Sequence, residues 1–125
     1  GKELGLYDNP YRELGKWEWD LVRSTRVVMD IGINAMGWSR QEARDYWKRT
    51  IPNQDAIAER EIDRMIRWPG QVLSYKMGER TFLNLRMEVK RKLGTDFDLR
   101  KFHTAVLKRG DLPLPVLESA VTEDF

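Results

Sequence analysis

The sequence predicts an all-α protein, an irregular array of about six helices, two of them long. Three observations carry this expectation. Apolar residues recur at three- and four-residue spacing over long stretches. Helix-start and helix-stop residues bracket those stretches, and no segment alternates apolar and polar residues for long enough to make a strand. The 125 residues read as one helical domain, residues 1–125, enough for a single core.

The first helix starts at the Asn9-Pro10 signal, because proline at a first helical position loses no bond and has φ already set. It runs to about Ala35 with two apolar stripes: Leu14, Trp17, Leu21, Val28 and Ile31, then Trp19, Val22, Met29, Ile33 and Met36. A helix of about 25 residues, roughly 38 Å long, apolar on more than one side, has the pattern of a buried helix. A domain this small offers little to bury it, so further protein is expected around it. Gly37-Trp38 ends the helix, and Ser39-Arg-Gln-Glu42 is a capping box for a short second one, Ala43, Tyr46 and Trp47 facing inward. The third helix follows Ile51-Pro52, with Asn53 as its cap and Ala56/Ile57, Arg60/Glu61 and Arg64/Met65 along its mixed face.

The central helix is expected to open at Pro69 and run to about Leu93, with Gly94 as its left-handed terminator. In that frame Gln71 and Tyr75 share one side with Ser74 and Gly78, beside Lys76, while Val72, Leu73, Met77 and Leu83 make a core side. A helix start with a polar, small-residue face is shaped around something other than packing. Asp98 caps a fifth helix through Leu107, closed by Gly110. Leu112-Pro-Leu-Pro115 predicts an extended connection, and Val116 to Val121 a last turn or two.

Composition narrows the function classes. Cysteine is absent, so disulfides and thiolate chemistry are excluded. No apolar run approaches the roughly 20 residues of a membrane span. The chain does not open with Met and carries no secretory or transit-type leader, and it reads as a mature product or a piece of a longer protein. Net charge is only +2, too small to imply nucleic acid. The charge is uneven, however: residues 86–109 hold eight basic side chains (Arg86, Lys90, Arg91, Lys92, Arg100, Lys101, Lys108, Arg109) against three acidic ones. From Asp111 onward the charged residues are all acidic. The basic stretch reads either as a solvated face or as a phosphate-binding stripe.

The only histidine is His103, and with no Cys a zinc site built from this chain would need carboxylates for most of its ligands. There is no HExxH, GxGxxG or Walker loop. What remains is Tyr75, Lys76, Gln71 and Arg26, hydrogen-bond donors on two long helices, with Asp30 one turn after Arg26 as a partner for it. Such a set cannot start a reaction. It can pack as ordinary structure, or stabilise charge that develops in a reaction centred elsewhere.

Five blocks carry a resemblance: Glu3-Leu-Gly-Leu-Tyr-Asp-Asn-Pro-Tyr11; Asp30-Ile-Gly with Gly37-Trp38-Ser39; Trp68-Pro-Gly-Gln with Ser74-Tyr-Lys-Met-Gly78; Phe97-Asp-Leu-Arg-Lys-Phe-His103; and Leu112-Pro-Leu. In order and spacing they resemble the C-terminal region of the bacterial domain-of-unknown-function 885 family, over nearly the whole chain. The resemblance implies a larger helical, gluzincin-type zinc metallopeptidase. In that family an HExxH-like helix and a helix beginning Glu-Gly-Trp-Ala bind the metal upstream of the segment matched here. This chain is then without a cofactor of its own, zinc being expected in the full-length parent. By analogy with related helical peptidases Tyr75 is the candidate oxyanion donor, Lys76 or Arg26 the group for a substrate carboxylate, and Gln71 a further substrate-binding side chain. One departure stands out: members often carry a histidine after Asp-x-Gly, where this chain has Asn34.

The expected function is therefore the C-terminal helical part of a zinc-dependent peptidase, lining a substrate cleft and inactive alone. Its expected partners are the upstream part of the same polypeptide and, in the parent, a peptide substrate. A homodimer of this chain is a second way to hide an uncovered apolar helix. Two non-catalytic alternatives stand beside this reading. One is an interaction module using the basic face. The other is a scaffold that has lost catalysis, to which Asn34 gives some support.

Overall fold

A computed structural model describes residues 2, 5–52 and 54–125. Among them are six α-helices and no strand: α1 Pro10–Ala35, α2 Arg40–Thr50, α3 Asp55–Arg67, α4 Leu73–Leu93, α5 Leu99–Leu107 and α6 Leu114–Glu123. The all-helical expectation holds, and the two long helices are α1 with 26 residues and α4 with 21. The sequence reading treats the chain as one helical domain; its contacts divide it into two compact units, Gly1–Lys76 and Met77–Phe125, with the division inside α4.

In the first unit α1, α2 and α3 pack pairwise. Local chemistry fixes their ends. The Asn9 side chain accepts the Arg12 N–H at 3.0 Å and caps α1, with Pro10 in its first turn. At the other end Gly37 takes φ +71°, and the Trp38 N–H reaches back to the Gly32 carbonyl at 2.8 Å. That return lays the Trp38 indole on Gly32, where a Cβ would stand 2.4 Å from the ring. The capping box of α2 forms as expected: Ser39 Oγ accepts the Glu42 N–H, and the Glu42 carboxylate takes the Ser39 N–H at 2.7 Å. The cap position of α3 falls to Gln54, whose side chain makes no capping bond; Asn53 lies outside the described residues. The core is Val22 and Met29 of α1, Ala43 and Trp47 of α2, Ala58, Ile62 and Met65 of α3, then Ile51 and Val72.

The second unit packs Leu85 and Val89 of α4 against Phe102 and Ala105 of α5 and Leu117 and Val121 of α6. Gly94 at φ +57° stops α4 and Gly110 at φ +69° closes α5, as read from the sequence. Asp98 caps α5 by accepting the Arg100 and Lys101 N–H groups. The acidic tail folds back: Asp124 accepts from Lys108 at 2.8 Å and from Arg109 through two nitrogens at 2.6 and 2.9 Å. Two of the eight cations in the basic stretch are thereby engaged within the unit.

Three expectations need correction. The central helix does not open at Pro69. Residues 69–72 form turns, because Gly70 takes φ +81°, which no α-helix contains, and α4 begins at Leu73. Of the expected core side, Val72 is buried but Met77 and Leu83 are exposed. α6 starts at Leu114, inside the predicted extended connection, since Pro115 fits a first helical turn as readily as it breaks a later one. On α1 and its C-cap, as the sequence reading expects of so small a domain, much of the apolar surface is left uncovered: Leu14, Trp17, Leu21, Val28 and Ile31 of one stripe and Trp19 and Met36 of the other remain exposed.

Candidate functional site: the Trp68–Val72 turn and the start of α4

The predicted donors gather in the first unit, around the turn that leads from α3 into α4. α1 holds that turn through two residues one helical turn apart. Asp30, only 3% exposed, accepts the Gly70 N–H with both carboxylate oxygens, at 3.0 and 3.1 Å. Asn34 donates its amide to Asp30 Oδ1 at 3.3 Å and to the Met65 carbonyl near the end of α3 at 3.2 Å. One carboxylate and one amide thus tie α1 to the end of α3 and to the turn. Gly70 serves because its left-handed φ aims its N–H at α1.

Beside this clamp lies a buried ion pair. Arg26, 5% exposed, places Nε 3.0 Å from Glu61 Oε2 of α3, outside hydrogen-bond geometry, and Arg64 approaches the other Glu61 oxygen at 3.9 Å. Burial pulls the Arg26 pKa down, and the Glu61 charge works against that loss. Arg26 Nη2 is buried with no hydrogen-bond partner among the described residues. The expected Arg26–Asp30 pair does not form, because Glu61 takes the guanidinium while Asp30 is committed to backbone and amide donors. Asp30 needs no cation when N–H groups satisfy it.

The other candidates lie at the start of α4. Gln71 belongs to the turn, not to the helix, so it shares no helical face with Tyr75; its Oε1 accepts Arg64 Nε at 2.9 Å, which leaves its NH₂ as the donor end. Lys76 Nζ donates to Asp20 of α1 at 2.7 Å. Tyr75 is 55% exposed in the first turn of α4, with the Arg23 guanidinium 5.1 Å from its ring centroid. No hydrogen bond engages its hydroxyl among the described residues. Arg26 and Arg64 therefore flank a single glutamate, Glu61, while Arg23 lies over the Tyr75 ring. Sequence reasoning paired Arg26 with Asp30 and missed Glu61 as its partner. Nothing in one sequence pairs residues 35 apart when each sits on an ordinary mixed helix face.

The arrangement can donate hydrogen bonds and present positive charge. It offers no metal-binding group: no three His, Cys, Asp or Glu side chains converge among the described residues. No helix among those residues is long and apolar enough to cross a membrane. Fold and site together define a helical unit that presents donors around a clamped turn.

Its family is shown by sequence. The family described as "Bacterial protein of unknown function (DUF885)" matches residues 1–121, and the chain belongs to it. No curated protein matches. Among solved structures, the chain is similar to the putative lipoprotein from Colwellia psychrerythraea, at 37% identity and a TM-score of 0.91. That match covers 98% of this chain and 21% of the other, so this chain spans about a fifth of that protein's length.

Proposed function

We propose that this chain is the C-terminal helical wall of a longer, zinc-dependent peptidase, in which Tyr75 donates a hydrogen bond to the oxyanion that develops on the scissile carbonyl. The observation that carries the reading is the state of Tyr75. Tyr75 is exposed, and among the described residues nothing engages it beyond the Arg23 guanidinium over its ring, while Arg26, Gln71 (through its Oε1) and Lys76 already hold protein partners. Its backbone lies five residues beyond Gly70, which Asp30 clamps, and preorganised donors are what oxyanion stabilisation needs. The positive end of the α4 dipole favours negative charge at the same place.

In this reading Lys76 is the group for a substrate carboxylate, exchanging Asp20 for it, and the Gln71 NH₂ is a further donor. Arg26 is too deeply buried to touch substrate and acts by holding Glu61. The described residues of this chain do not fit a zinc site, so the metal belongs to other parts of the parent, and the chain alone is inactive. The test is Tyr75→Phe in the full-length parent, assayed on a mixture of fluorogenic peptides with zinc content measured in parallel. The expected loss is about 10²–10³ in kcat at unchanged zinc content; a loss under about tenfold refutes the oxyanion role.

Asn34 favours a second reading, a scaffold without catalysis. It stands where family members often carry a histidine, and here its amide is consumed in bridging Asp30 and Met65. Absence of any peptide hydrolysis by the wild-type parent would select that reading.

A further inference from the structure

The exposed stripe of α1 is too regular to be scattered surface. Leu14, Trp17, Leu21, Val28 and Ile31 follow helical spacing over about 26 Å and are 40–63% exposed. The buried side of the same helix (Val22, Thr25, Arg26, Met29, Asp30) points roughly 130° away at 100° per residue. α1 therefore carries two working faces. One makes the core with α2 and α3, and the other is an apolar strip, broken only by Ser24 between Leu21 and Val28, of the kind that marks a docking surface.

We propose that this strip receives an apolar helix from the part of the parent polypeptide outside residues 1–125. Two observations favour that occupant. The Colwellia protein has the same fold over 98% of this chain, yet this match accounts for only 21% of its length, so four-fifths of that chain is available to pack on such a surface. The strip also carries a large apolar residue at five of six positions spaced alternately three and four apart (14, 17, 21, 28 and 31, with Ser24 at the sixth), which suits a helix lying along it. The inference shares with the proposed function the premise of a longer parent, but owes nothing to peptidase activity.

The test places a cysteine on the strip, since this chain has none. Leu21→Cys and, separately, Val28→Cys are made in the full-length gene product, and maleimide addition at that site is followed by peptide mass spectrometry. Expected is native labelling slower than in denaturant by on the order of a hundredfold, independent of protein concentration. Labelling of the native protein within about threefold of the denatured rate overturns the proposal. So does protection that vanishes on dilution, which assigns the strip to a second copy. A gene encoding no further helical segments overturns it as well. The outcome of the Tyr75→Phe assay leaves this result untouched, so the two readings fail separately.

Discussion

Replacing Asp30 by alanine removes the carboxylate by which α1 holds the Gly70 N–H. The carboxylate is buried and accepts the Gly70 N–H with both oxygens and the Asn34 amide with one. Hydrogen bonds to a charged acceptor are worth about 1.5–3 kcal/mol, and a buried donor left unpaired costs about 1–3 kcal/mol. The loss at Gly70 and the partial loss at Asn34, which keeps the Met65 carbonyl, sum to about 2–4 kcal/mol. Asp30→Asn keeps an acceptor for Gly70 and loses the charge, so about half of that cost is expected. All five tryptophans lie in the first unit (Trp17, Trp19, Trp38, Trp47, Trp68), so tryptophan fluorescence during urea unfolding reports that unit directly. A change below about 0.5 kcal/mol for Asp30→Ala refutes the clamp. The double variant with Asn34→Ala supplies a second check. The two side chains share one bond, so their effects should fall short of additive.

Gly32→Ala should destabilise the first unit by about 1–3 kcal/mol, because the new methyl meets the Trp38 ring and the ring is pinned by the return of the chain and by Tyr46 at 5.5 Å. A blue or red shift of Trp38 emission should accompany it, and an unchanged midpoint in urea would contradict the packing. In the second unit, hydrogen bonds from Arg109 and then Lys108 hold the Asp124 carboxyl far below its ordinary value of 3.8. A depressed folded value means the stabilisation is complete above the unfolded pKa and fades as pH falls below it. Amide exchange in α6 should therefore be flat with respect to this group near neutrality and quicken below about pH 4. Asp124→Asn should remove that dependence; an unaltered acid profile would place its origin elsewhere.

What was legible in the sequence was local. Asn9, the Ser39–Glu42 box, Asp98, Gly94 and Gly110 act on backbone within a few residues of themselves, and each sits where its chemistry places it. Apart from the start of α6, where Pro115 serves as a first-turn residue, the main errors come from contacts between distant residues. Pro69 fits a helix start, yet Gly70 is drawn out of helical φ by an acceptor 40 residues earlier. Arg26 and Asp30 have helical spacing, yet Glu61 outbids Asp30 from another helix. At the site, Tyr75, Lys76, Gln71 and Arg26 do fall in one region, but only the structure separates the buried Arg26 from the exposed Tyr75.

The two stripes of α1 join these observations. One turn of the buried stripe carries Arg26, Met29 and Asp30, and through them α1 sets the core, the Glu61 pair and the turn before Tyr75 at once. A helix so fixed on one side presents the other at a fixed angle as well. Whatever packs along Leu14–Ile31 is therefore held in register with Tyr75 through a single rigid element of 26 residues. That coupling gives a reason for the length of α1. Packing against the two short helices α2 and α3 needs less than the roughly 39 Å it spans, whereas joining a docked segment on one face to a clamped donor on the other needs a helix that continues past both.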